Sequence, residues 1–406
     1  MDQAPVLAPV AAEERIAIID VLRGAALFGI LAANMRGFFG PASAYFAPHL
    51  LWKDAPDRIV TLMLELFING KFITIFATLF GIGFAIQMDR AAAAGRGLGT
   101  YARRLAVLCL FGLLHSFGIW WGDILLSYGL MGFALMLFRT RSQRTVWWWA
   151  HGLYWWPALM FTGAMIAKLA GHDIPMPPEP TKEAIEKTIA IYSSGTIQQI
   201  FLERAREWRV LNGGAAFFFP RILGWFLFGL YIWRQGFLRD PGSHLAWWRK
   251  ARGWGLSLGL AGNAAGVAII ETMHPNMFSP SPASLAIMLV LSAGIPALSL
   301  GYAATVVLWF QKDACRHCLM RFAYVGRMAL TNYLLQSAIC TTLFYSYGGA
   351  LFGKIGPLIG LLPTVLIYGL QIPFSRWWLS SRRYGPMERL WRLLTYGRPP
   401  ETSPGA

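Results

Sequence analysis

The feature that most constrains this chain is a recurring apolar run. Stretches of about 20 residues, the length an α-helix needs to cross a bilayer, follow one another from residue 16 to residue 374, separated by short basic links. Inside lipid every backbone polar group must be satisfied within the protein, which favours helices. Composition points the same way. The chain has 406 residues, 56% of them hydrophobic and only 14% charged, against about 25% charged in soluble proteins. The expected fold class is all-α, a polytopic integral membrane helical bundle.

Ten spans are expected, at 16–39, 57–88, 105–119, 123–138, 146–169, 217–237, 254–270, 283–310, 322–345 and 355–374. The strongly basic links then share one side, which makes both termini cytoplasmic. The domain reading is a cytoplasmic N-terminal tail (1–14), helices one to five (15–171), an extracytoplasmic amphipathic segment (172–212), helices six to ten (213–374) and a basic cytoplasmic tail (375–406). The segment 172–212 is Pro-rich at its start and then amphipathic, and is expected to form one or two helices on the outer surface. The N-terminal residues are acidic and Ala/Pro-rich, with no sign of a cleavable signal peptide.

The net charge of +16 belongs to topology signalling and to contact with anionic lipid. No basic-aromatic groove pattern points to nucleic acid. Cys109 and Cys340 lie in apolar runs and read as packing residues. Cys315-Arg316-His317-Cys318 has CxxC spacing without further ligands, so no metal site is expected. His49 reads as a solvated loop residue. No phosphate-binding loop, GxSxG elbow or HExxH motif is present.

The informative residues are the few hydrophilic ones in apolar sequence, since an ionisable group at membrane depth costs about 2.5–3.5 kcal/mol on insertion scales. In Leu113–Tyr128, His115 should end one helix and Asp123 should start the next across a Trp-Trp-Gly corner, so the two can face each other. An Asp beside a His fixes its tautomer, so the pair is the candidate catalytic acid–base couple. A buried bond that stitches the hairpin is the competing reading. Asp20 and Arg23 are one turn apart and can pair; Asn34 falls near the same face. Lys71 lies mid-run beside Gly70. Arg104 and His115 are three turns apart on one helix. Arg327, Asn332 and Gln336 make the ninth run unusually polar, with interhelical hydrogen bonding the plain alternative. Asp20, Arg23, Asn34, Lys71, Arg104, Tyr128, Arg327, Asn332 and Gln336 are the candidate substrate-binding residues. Of these, Lys71, Asn34 or Arg104 could hold a carbonyl oxygen or an anionic head group.

Several motifs resemble those of the YeiB-like polytopic membrane proteins. They are Asp20 to Leu31 followed by Asn34, Gly70-Lys71-Phe72 with Leu79 to Phe84, and Gly112 to His115 with Trp121 to Leu125. Gly326 to Ser337 matches more closely, as do Ser375 to Trp378, Gly385-Pro386, Glu388, Trp391-Arg392 and Leu394 to Gly397. The resemblance covers most of the chain and is weakest over 172–212. It implies a multi-pass protein of the bacterial inner membrane, in a family similar to the transmembrane acyltransferase superfamily. Many bacterial members there carry an Arg, ten residues and a catalytic His in the first helix. Here Arg23 is followed at that spacing by Asn34, while Arg104 and His115 repeat the interval.

The leading functional expectation is a membrane-embedded acyltransferase. It would move an acyl group from a cytoplasmic acyl-CoA-like donor to an extracytoplasmic or lipid-linked acceptor. His115 would be the general base and Asp123 its orienter. Acyl-CoA enters only as a co-substrate, and no permanently bound cofactor is expected. The expected partners are membrane lipid and a small-molecule or lipid-linked substrate, with oligomeric state left open. The alternatives are a transporter or flippase for a lipid-linked or small anionic substrate, and a non-catalytic envelope scaffold.

Overall fold

The computed structural model describes residues 16–43, 50–93, 98–172, 180–273 and 280–397. His49, the tail 1–14, most of the Pro-rich entry to the amphipathic segment and most of the 273–282 turn lie outside them. Among the described residues the chain is all-helical, with no strand. Five helical stretches are long and apolar enough to cross a membrane: Ala17–Phe39, Ala55–Ala93, Gly242–Met273, Pro282–Phe310 and Pro357–Ser381. A sixth arises if Ile197–Asn212 and Phe217–Arg234, bent by 71°, are taken together. Other expected spans are shorter, more polar or rich in Trp, whose ring suits an interface better than the hydrocarbon centre.

Helix α1 (Ala17–Phe39) is the axis of the bundle, with buried residues on every face. It packs against α3 (Lys71–Ala93), α12 (Asp313–Arg327), α13 (Ala329–Phe344) and α14 (Pro357–Ser381). The closest crossing is with α12. A Cβ on Gly24 would lie 2.0 Å from the Phe322 carbonyl oxygen, and one on Gly326 would lie 1.9 Å from that of Asp20. Only glycine lets these backbones touch, as in small-residue packing of membrane helices. The Tyr368 hydroxyl of α14 adds a 2.6 Å bond to the Gly24 carbonyl.

Two expected spans are broken. The second is α2 (Ala55–Phe67) and α3, separated at residues 68–70. Gly70 turns the chain there with φ +80°, a left-handed conformation open mainly to glycine. The ninth is α12 and α13, broken at Met328. Helix α4 (Gly99–Gly118) and the short α5 (Leu125–Leu135) form the hairpin. Helices α6 (Gln143–Leu169) and α9 (Ala215–Arg234) pack together, as do α10 (Leu245–Met273) and α11 (Pro282–Phe310).

The amphipathic segment forms two helices, α7 (Lys182–Ser194) and α8 (Ile197–Asn212), the second opened by a Thr196–Gln199 capping box. Their buried faces carry polar groups as well as apolar ones. Arg204 donates to the Phe117 carbonyl at 2.7 Å, and Glu207 accepts from the Ala42 amide at 2.8 Å. Helix α8 thus covers the ends of both α1 and α4. The chain finishes in α15 (Pro386–Tyr396), packed on α4 and α13.

Candidate functional site

The hairpin brings His115 and Asp123 together. Nδ1 of His115 lies 2.9 Å from Oδ1 of Asp123, and the two side chains are 1% and 0% exposed. Oδ2 of Asp123 accepts from the Leu126 amide at 2.7 Å. One carboxylate therefore caps the incoming helix and orients the imidazole that ends the outgoing one. Among the described residues, Nε2 of His115 is buried with no hydrogen-bond partner, and so are the hydroxyls of Ser116 and Tyr128 and the indole nitrogen of Trp121. The Tyr333 ring of α13 packs 5.2 Å from His115, and its hydroxyl donates to the Gly122 carbonyl at 3.4 Å. Buried polar atoms without partners are uncommon in folded proteins. Four within the hairpin make its corner a place for a polar ligand or water.

The other expected site residues fall into separate clusters. Asp20 and Arg23 pair at 3.2 Å near the start of α1, and half-buried Arg327 follows the Gly326 that touches the Asp20 carbonyl. Asn34 is half-buried in α1. Asn332 and Gln336 share the face that meets α14, as their spacing requires. The Asn332 amide donates to Ser375 Oγ at 3.0 Å and Gln336 donates to Gln371 at 2.8 Å, while Gln371 donates back to the Asn332 carbonyl at 2.9 Å. That ladder bridges α13 and α14. Arg104 does share a helix with His115, but eleven residues put it about 16 Å away along the axis. Its guanidinium lies 3.8 Å over the Trp391 ring of α15.

Lys71 is 1% exposed at the start of α3. Its ammonium donates to the Glu65 carbonyl at 2.5 Å. The Glu65 carboxylate accepts from Arg36 at 2.6 Å and from Asn69 at 2.7 Å. Arg36 and Glu65 were not among the expected site residues. Each was visible as a charge inside an apolar run, but they are 29 residues apart and no local spacing joins them.

Helices α7 and α8 hold a further buried cluster. Glu203 accepts from Thr188 at 2.8 Å, and Glu207 accepts from Tyr192 at 2.7 Å. Burial, with a smaller push from Glu203, raises the Glu207 carboxyl to about 7 from 4.5. A folded-state value above the unfolded one gives stability that is full below pH 4.5 and lost as pH rises through 7. Raising the pH from 5 to 8 should therefore loosen α8 by on the order of 3 kcal/mol. A lower amide protection factor in α8 at pH 8, after correction for intrinsic exchange, is the expected result, and Glu207→Gln should abolish the drop. An unchanged pH response in that variant would assign the effect elsewhere.

The chain has close relatives in sequence. An uncharacterized protein of Bacillus subtilis (strain 168), YxaH, is 34% identical over 410 aligned residues, which cover 96% of each chain. The uncharacterized protein YeiB of Escherichia coli (strain K12) is 30% identical over 398, covering 94% of this chain and 96% of its own. The chain belongs to the YeiB/YxaH family. A third relative, an uncharacterized 39.9 kDa protein in the amylase 3′ region of Bacillus acidopullulyticus, is 28% identical over 396 residues. The family model described as "protein of unknown function (DUF418)" matches residues 232–398. That part of this YeiB/YxaH-family chain contains the α13–α14 ladder and α15, whereas the His115–Asp123 hairpin lies before it.

Proposed function

We propose that the chain is a membrane-embedded acyltransferase, with His115 as general base and Asp123 as its orienter. The observation behind this reading is the imidazole itself: Nδ1 is held by a buried carboxylate, while Nε2 is buried and without a partner among the described residues. A base needs that arrangement, one nitrogen fixed as N–H donor and the other free to accept. In the proposed reaction an acceptor hydroxyl attacks the thioester carbonyl of an acyl-CoA-like donor. Nε2 takes the hydroxyl proton as the C–O bond forms. The C–S bond then breaks, and the proton leaves with the thiolate as free thiol.

The proposed topology has ten spans and both termini in the cytoplasm, in the bacterial inner membrane. The basic links after α3, α5 and α9 and before α12 then share the cytoplasmic face. His115 and Asp123 lie toward the outer leaflet, under α8, where an extracytoplasmic or lipid-linked acceptor would arrive.

Purified protein in proteoliposomes, given acyl-labelled CoA thioester and a membrane extract as acceptor, should transfer label. His115→Ala should lower turnover by about 10²–10⁴-fold. Unchanged turnover in a folded His115→Ala protein would remove His115 from the mechanism. A second reading, transport of an anionic substrate, draws on the break between α2 and α3, since interrupted helices often line transporter binding sites. Uptake without covalent turnover would favour it.

A further inference from the structure

We propose that the break between α2 and α3 is an oxyanion site, in which the Lys71 ammonium binds a phosphate or carboxylate group. Lys71 is 1% exposed, yet its hydrogen bond goes to a main-chain carbonyl, that of Glu65. An ammonium has three donors and no acceptor, so two N–H directions remain. Among the described residues no carboxylate pairs with it. Glu65 acts on Lys71 electrostatically, but its carboxylate is bound by Arg36 and Asn69. A buried cation normally persists when paired.

The backbone adds a second attraction. Helix α3 begins at Lys71, runs 23 residues and has no acidic residue in its first turn. Its leading N–H groups and dipole favour negative charge. Gly70 stands just before them in a left-handed conformation. Among the described residues the side-chain oxygen of Asn69 is also buried without a donor, which suits a ligand carrying a hydroxyl beside its oxyanion. The site draws on other elements than the acid–base pair: Lys71 lies on α3, while His115 and Asp123 belong to the α4–α5 hairpin.

The test is binding to the full-length protein in two arms. Inorganic phosphate is titrated against detergent-solubilised protein by ³¹P line broadening. Separately, thermal stability is compared in nanodiscs of phosphatidylglycerol and of phosphatidylcholine. Saturable, Lys71-dependent binding in the first arm identifies a free anion; a Lys71-dependent gain in the second identifies a lipid head group. Lys71→Met should weaken the effect at least tenfold while costing the ligand-free protein no more than its one bond to the Glu65 carbonyl, a loss offset by removing a buried charge. Lys71→Arg should retain part of the binding, and His115→Ala all of it. Equal binding by Lys71→Met in both arms, or no binding by wild type in either, would overturn the proposal. So would marked destabilisation of ligand-free Lys71→Met, which would make Lys71 a structural strut.

Discussion

In the proposed reaction, Asp123→Asn should lower acyl transfer by about 10²–10⁴-fold while leaving the hairpin folded. The asparagine oxygen can still accept from the Leu126 amide, the bond Asp123 makes at 2.7 Å. Its NH₂ group then faces Nδ1 of His115, which turns that nitrogen from donor to acceptor. The ring proton moves to Nε2, and a nitrogen that carries a proton cannot take one. Asp123→Ala should differ, because it removes the cap as well. The orphaned imidazole N–H costs about 1–3 kcal/mol and the lost cap about 1 kcal/mol. Turnover, thermal unfolding and ¹⁵N shifts of the His115 ring separate the two variants. Full turnover with a flipped tautomer in Asp123→Asn would show that His115 is not the base.

The second large effect is expected at the other end of the chain. Glu388→Ala should destabilise the protein by about 2–4 kcal/mol, since it leaves buried donors unmet. Glu388 lies in α15 yet caps the start of α13. It accepts from the Leu330 amide at 2.7 Å, the Thr331 amide at 3.1 Å and the Thr331 hydroxyl at 2.6 Å. Burial pushes its carboxyl up, and the bonds from Thr331 and Leu330 pull it back. The same clasp holds α15 against α4, where the Trp391 indole donates to the Arg104 carbonyl at 2.9 Å. The variant should show a lower unfolding temperature and earlier protease cleavage near residue 385. A wild-type digestion pattern would mean that the Trp391–Arg104 contact suffices to hold the tail.

The Glu388 clasp and the His115–Asp123 pair differ in how legible they were. His115 and Asp123 are eight residues apart across one tight corner, so hairpin geometry alone predicts that they meet. Asp20 with Arg23, and Asn332 beside Gln336, follow from the helical repeat in the same way. Arg104 shows the limit of that reasoning. Its register with His115 is right, but α15 occupies it, and α15 comes almost 300 residues later. The amphipathic pattern of 172–212 announced helices, yet not that Glu203, Arg204 and Glu207 would be buried against the bundle ends.

What the amino-acid sequence determined by itself is local: apolar helices, the Gly70 break as a glycine beside a lysine, and ion pairs or caps within a turn or a hairpin. Backbone geometry dictates such contacts once the helix forms, whatever surrounds it. Only the tertiary structure decided that the Glu65 carboxylate takes Arg36 while Lys71 bonds the Glu65 carbonyl, that Glu207 holds Ala42 from 165 residues away, and that Gln371 completes the Asn332–Gln336 ladder. Those partners are chosen by how whole helices dock. Docking is set by the sum of many small packing terms and by close approaches such as Gly24 with Gly326, not by the spacing of any two residues.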